Sequence, residues 1–197
     1  VKGTLEAITG NMFSGKTEDL IKRLNLALIA RKKVSAYKHK HDTRYSESTL
    51  ASHGGQTLSC KLVCNSQSIL DDLYKTNRIP DVIGIDEGNF FDDKLPEVVD
   101  ILVNKHMCRV IVSGLNQNYK GEPFGPMPAI MAMADDVQLL FAVCSICGAK
   151  ATKSQRIVED SAEILPGGKE SYEPRCRDHH TTVMWPKQGC LFNKEKK

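Results

Sequence analysis

The strongest constraint on this chain is a short run near its start, Gly10-Asn11-Met12-Phe13-Ser14-Gly15-Lys16-Thr17. It satisfies the pattern G-x-x-x-x-G-K-[ST] in full. Glycines let the backbone curl until successive N–H groups face phosphate oxygens. The helix that follows presents its positive end to the same anions. Lys16 supplies a point charge for the β and γ phosphates, and the Thr17 hydroxyl is a ligand for Mg²⁺. The pattern carries meaning only between a strand and a helix, and both flanks comply. Thr4–Ile8 is a short apolar stretch that ends at Thr9-Gly10. Leu20, Leu24 and Leu28 recur at helical spacing with Ile21 beside them, which predicts a helix over Lys16–Ala30. A chance glycine turn would have neither flank, so residues Gly10 to Thr17 are expected to bind ATP.

The next segments repeat the alternation. Val34–Tyr37 and Val82-Ile83-Gly84-Ile85 predict strands, the second stopping at Asp86. Ser66 is placed to cap a helix carrying Ile69, Leu70, Leu73 and Tyr74. Pro96–Met107 predicts a helix with Val98, Val99, Leu102 and Val103 facing inward, and Pro96 suits its first turn. Arg109–Leu115 reads as a strand, Pro128–Ala134 as a short helix and Val137–Val143 as the last strand. Strands alternating with helices predict an α/β fold, here a P-loop nucleotide-binding domain over residues 1–143 with a mostly parallel sheet. The character changes at Cys144. Two cysteine-rich ends enclose a polar stretch with few core residues, which predicts a small metal-built unit over residues 144–190. Residues 191–197, ending in Lys-Glu-Lys-Lys, read as a frayed tail.

Chemistry requires more than a phosphate cradle. A carboxylate belongs at the end of a neighbouring strand to hold Mg²⁺. Asp86 occupies that position, and the adjacent Glu87 is suited to take a proton from an attacking hydroxyl. Away from a phosphate loop, the turn Asp86-Glu87-Gly88-Asn89 would read as an acidic surface turn. Beside one, it joins the nucleotide site. Cys144-Ser145-Ile146-Cys147 and Cys176-Arg177-Asp178-His179 form two ligand pairs, the usual source of a tetrahedral zinc site. Four protein ligands leave no open position, so the Zn²⁺ is expected to be structural. Cys144, Cys147, Cys176 and His179 are the preferred set; His180 competes with its neighbour, and Cys190 is a more distant candidate. Among the seven cysteines of the chain, Cys60, Cys64 and Cys108 read as buried or partly buried thiols.

With Asp42-Thr43-Arg44-Tyr45, Asp86-Glu87-Gly88-Asn89-Phe90-Phe91 and Gly121-Glu122-Pro123-Phe124-Gly125-Pro126-Met127-Pro128 added in order, the chain resembles the type II thymidine kinases from about Gly3 to His179. That resemblance implies a RecA-like P-loop domain with a zinc-held lasso over the nucleoside. It implies transfer of the γ-phosphate of ATP to the 5′-hydroxyl of thymidine, with Glu87 as general base and Mg²⁺ served by Thr17 and Asp86. Asp42, Thr43 and Arg44 match the family segment near the triphosphate. Met12, Phe90, Leu115, Tyr119, Phe124 and Tyr172 match the base pocket, where flat rings and a thioether suit a methylated pyrimidine. The lasso backbone that reads the pyrimidine edge falls on Glu163, Ile164, Leu165, Pro166 and Gly167. A homotetramer and feedback inhibition by thymidine triphosphate are implied as well. Removing zinc is then expected to raise the thymidine KM before ATP binding is lost. Three positions depart from the family: Asn116 where Asp is common, Tyr119 where Phe is common, and a second zinc pair that ends in His rather than Cys.

Two other readings compete. One is a P-loop kinase of another small acceptor, such as deoxycytidine or a nucleotide. The other is an ATP-switched module whose zinc ribbon contacts nucleic acid. Against the second, the net charge is only +3, from 27 basic and 24 acidic side chains, and the stretch between the zinc pairs is not dense in Lys or Arg. The apolar runs are too short to span a membrane. The start of the chain has no apolar signal core, so the expected location is cytoplasmic.

Overall fold

The computed structural model describes residues 2–40, 49–51, 57–158, 165 and 167–181. In chain order the elements are β1 (Thr4–Gly10), α1 (Lys16–Ile29), β2 (Val34–His39), β3 (Thr49–Ala51), β4 (Thr57–Ser59), β5 (Lys61–Val63), α2 (Gln67–Thr76) and β6 (Val82–Asp86). They continue with α3 (Leu95–Asp100), β7 (Arg109–Gly114), α4 (Met127–Met133), β8 (Asp136–Leu140), β9 (Ala142–Val143), β10 (Lys150–Ala151), β11 (Lys153–Arg156) and β12 (Tyr172–Arg175). Six strands form one sheet in the order β5-β2-β6-β7-β1-β8, and every pairing in it is parallel.

The parity of the strands explains why helices cover both faces. Leu5 and Ala7 of β1, Ile83 and Ile85 of β6, and Val110 and Val112 of β7 all pack with α2, α3 and α4. Their neighbours Ile8, Val82 and Ile111 face the other way, against Leu20, Ile21, Leu24 and Ala27 of α1. A strand buried on both faces needs a near-continuous apolar run, which is what β6 and β7 have. Close packing is enforced at Gly84, where a Cβ would lie 2.6 Å from Leu24 Cδ1.

One polar group is built into this layer. Glu6 of β1 receives Arg23 of α1 and Arg109 of β7, each at 2.5 Å. Burial opposes ionisation of Glu6, but the two guanidinium groups outweigh it and hold the carboxyl below its ordinary range.

Several expected elements change at their ends. The helix expected over Pro96–Met107 is α-helical only to Asp100 and continues as a π-helical turn over Ile101–Lys105. Val98, Val99, Leu102 and Val103 are nevertheless all buried. Gly3 allows the lead into β1 to press on that turn: a Cβ there would meet the Val103 carbonyl oxygen at 2.1 Å.

Ser66 does not cap α2. Its N–H and hydroxyl both donate to the Asp92 carboxylate, at 2.9 and 2.6 Å, and Asn65 Oδ1 accepts the Ser68 N–H instead at 2.9 Å. Of that helix's apolar residues, Ile69, Leu70 and Leu73 are buried while Tyr74 is exposed.

The strand expected over Val137–Val143 is interrupted. Asp136–Leu140 joins the sheet beside β1, whereas Ala142–Val143 leaves it to pair antiparallel with Lys150–Ala151. Beyond it, β11 pairs antiparallel with β12. Among the described residues, no helix is long and apolar enough to cross a membrane.

Candidate functional site

The run Gly10–Thr17 lies between the carboxyl end of β1 and the first turn of α1. Gly15, the residue that starts the helix, has φ +84, a left-handed conformation open to glycine at little cost. Phe13 is also left-handed, at φ +65, which costs a non-glycine residue about 1–2 kcal/mol. The Asn11 carbonyl accepts from both Ser14 Oγ and Lys16 Nζ at 2.8 Å. Thr17 Oγ1 donates to Asp86 Oδ2 at 3.0 Å, joining the loop to the end of β6. Asp86 is buried, so this pair of hard oxygen donors is sheltered and suits Mg²⁺.

The turn after Asp86 is held under strain. Glu87 has φ +55, unusual for a side chain without local compensation. The following residues are clamped: Asn89 Oδ1 accepts the Leu115 N–H at 2.8 Å, and a Cβ on Gly88 would lie 2.8 Å from Met127 Sδ. From the other side Gly125, at φ +52, approaches so closely that a Cβ would meet the Asn89 carbonyl oxygen at 2.3 Å. Glu87 itself is half-buried beside the fully buried Gly88 and Asn89. The packing therefore fixes a carboxylate one residue beyond Asp86, at the carboxyl edge of the sheet, where open α/β sheets bind ligands.

Cys144, Cys147, Cys176 and His179 bring their ligand atoms within 4.8 Å of one another. The individual separations are 3.8 Å for Cys144 Sγ to His179 Nδ1, 3.8 Å for Cys147 Sγ to Cys176 Sγ and 3.2 Å for Cys176 Sγ to His179 Nδ1. A tetrahedron with zinc–ligand bonds of 2.0–2.3 Å has edges of about 3.5–3.8 Å, so the group fits a zinc site. Burial works against the Cys144 thiolate, but the N–H groups of Cys176, Cys147 and Ile146 outweigh it and bring its pKa down to about 6. His180 points elsewhere, its Nε2 lying 2.8 Å from the Tyr119 carbonyl oxygen. The other thiols differ: Cys60 and Cys108 are buried, while Cys64 is exposed rather than partly buried. Burial raises the Cys108 thiol to about 11, as expected of an unreactive core cysteine.

Four of the candidate base-pocket residues fall into two pairs, while Met12 lies in the loop and Leu115 follows β7. Phe90 and Phe124 meet edge to face, with ring centroids 5.7 Å apart. Tyr119 and Tyr172 are linked by a residue not expected from the sequence, Arg156. Its guanidinium lies 3.8 Å from the Tyr119 ring centroid, and it donates to the Tyr172 hydroxyl at 3.0 Å. That hydroxyl in turn donates to the Leu165 carbonyl at 2.9 Å. Asn116 accepts the Phe124 N–H on its carbonyl at 3.3 Å, a main-chain contact indifferent to Asn or Asp.

Asp42, Thr43, Arg44, Glu163, Ile164, Pro166 and Cys190 lie outside the described residues. Lys153, Ser154 and Arg156 touch the site although nothing in the sequence singled them out. They have no periodic or motif signature, because their partners lie far away in the chain.

With this geometry in place, comparison with protein families shows that the family model described as thymidine kinase matches residues 3–180 of the 197.

Proposed function

The chain belongs to the thymidine kinase family, and we propose that it transfers the γ-phosphate of ATP to the 5′-hydroxyl of thymidine, giving the monophosphate. The observation that carries this reading is the 3.0 Å contact between Thr17 Oγ1 and Asp86 Oδ2, with Glu87 the next residue. It brings Gly10–Thr17, Asp86 and Glu87 to one edge of the sheet, which supports reading them as triphosphate loop, metal-side carboxylate and base. Phosphoryl transfer asks mostly for positioning and charge stabilisation, which such an assembly provides.

In this proposal Gly10 to Thr17 cradle the phosphates and Lys16 turns from the Asn11 carbonyl to the β and γ oxygens. Thr17 and Asp86 would hold Mg²⁺, which when bound offsets the charge of those oxygens. Glu87 accepts the proton of the 5′-hydroxyl as that oxygen attacks. Asp42, Thr43 and Arg44 are assigned to triphosphate binding. Met12, Phe90, Leu115, Tyr119, Phe124 and Tyr172 enclose the base, and residues 163–167 read its edge through their backbone. The zinc-held unit, assigned to residues 144–190, acts as a lid that excludes water and so suppresses hydrolysis of ATP. A cytoplasmic homotetramer inhibited by thymidine triphosphate completes the proposal. A phosphoryl-transfer assay from ATP to thymidine, with deoxycytidine as the control acceptor, tests it. Equal transfer to deoxycytidine, or none to thymidine, would overturn the assignment.

A further inference from the structure

The phosphate loop is gripped from outside by the cysteine-bearing segment. Asn11 is buried to 3% exposure, and its side-chain amide is used twice. Its Oδ1 accepts the Ala142 N–H and its Nδ2 donates to the Lys153 carbonyl, both at 3.2 Å. The next residue, Met12, donates its N–H to Ser154 Oγ at 3.0 Å. The residue after that, Phe13, packs against a small apolar cluster of Ala142, Cys144, Ala151 and Cys176.

Every one of these partners belongs to the metal-ligand group or to a strand pair that adjoins it. Cys144 and Cys176 are members of it. Ala142 belongs to β9, which runs into Cys144, and Ala151 to β10, its antiparallel partner. Lys153 and Ser154 lie on β11, whose partner strand β12 runs into Cys176. The apolar cluster is too small to order this segment by burial alone, so the ligands set the position of the partners. The loop's own bonds to the Asn11 carbonyl do not serve its side-chain amide, which is costly to leave unpaired once buried, and Phe13 sits at φ +65.

We propose that Asn11 and Phe13 are positioning residues that carry the state of the metal site to the phosphate loop, so that metal occupancy sets the affinity for the nucleoside triphosphate. This extends the metal's role from the nucleoside lid to the nucleotide side, and it rests on Gly10–Thr17 being the triphosphate site. The four contacts also act on consecutive residues, so loss of the metal releases the loop as a unit rather than one bond at a time.

The test is calorimetric titration of ATP into the zinc-loaded wild-type chain, the zinc-stripped chain, and loaded Asn11→Ala, Phe13→Ala and Phe13→Leu variants, with zinc content and Tm measured for each. Asn11→Ala and Phe13→Ala are expected to keep their zinc yet bind ATP about tenfold more weakly. In steady-state assays the ATP KM should rise accordingly. Phe13→Leu should recover most of the affinity, and stripping zinc from the wild type should weaken ATP at least as much as Phe13→Ala. A purely structural role would lower Tm and leave the ATP affinity in place, and that result overturns the proposal. Unchanged ATP affinity in the stripped chain overturns it too. Should the stripped chain unfold, the loaded Asn11 and Phe13 variants decide. A Lys16→Ala control separates the two levels: if it binds ATP like wild type, the phosphate-loop reading itself falls, and the coupling with it.

Discussion

The phosphate loop is held on two sides by different physics. On the sheet side, β1, β6 and β7 are sealed between α1 and the α2–α3–α4 layer, with Ile8, Ile83, Ile85, Val110, Ile111 and Val112 fully buried. Asp86 and Glu87 ride on that layer. On the cysteine side, the apolar cluster among the described residues consists of four small side chains, with Phe13 packed against it. The first side is ordered by apolar area; the second is ordered by four ligand atoms within 4.8 Å. The difference teaches where each kind of failure should appear. Damage to the sheet side should unfold the chain or stop the chemistry, whereas damage to the cysteine side should loosen substrates while the sheet persists.

The sharpest test of that division is Glu87→Gln. It keeps the size and one acceptor oxygen but removes the base, so turnover should fall by about 100- to 10,000-fold with ATP binding largely intact. Wild-type turnover in this variant would show that the base is elsewhere. Next in size, Ile85→Ala empties a fully buried position in β6. It should lower the unfolding free energy by about 3 kcal/mol in urea titrations, without changing zinc content. A loss of zinc in that variant would break the comparison, because the two sides would then share one core. Cys176→Ala works from the opposite side: zinc content should fall, and the thymidine KM should rise at least about tenfold while the far-UV circular dichroism of the sheet survives.

The smallest expected effect belongs to Glu6. Its folded pKa lies below the unfolded value, so its contribution is fully present above the unfolded carboxylate pKa and is lost as pH falls through the folded one. Glu6→Gln should therefore destabilise by roughly 1 kcal/mol at pH 7, allowing for the partial exposure of Arg109. That difference should vanish in acid, below the folded pKa. A gap that persists unchanged there would mean that Glu6 acts by packing rather than by charge.

The parts legible in the sequence share one property: their chemistry is contiguous. The residues of Gly10–Thr17, the pair Asp86-Glu87 and the two Cys-bearing pairs each place cooperating atoms within a few positions, so spacing alone exposes them. The alternation of β1, α1, β6 and β7 was legible for the same reason, since a parallel buried strand writes an unbroken apolar run. Element ends were less so. Ser66 has the chemistry of a cap, yet Asp92, distant in the chain, takes both its donors and leaves the cap to Asn65.

By itself, then, the sequence determined a glycine-bearing loop of the phosphate-binding pattern between a strand and a helix, a carboxylate pair at a strand end and two short pairs of residues suited to ligate a metal, because local spacing encodes each. Only the tertiary structure decided that His179 rather than His180 joins the ligand group, that Arg156 links Tyr119 to Tyr172, and that Asn11 ties the loop to Ala142 and Lys153. Those contacts join residues far apart in the chain. No period or motif marks such a pair until the sheet and the cysteine segment have brought the two ends together.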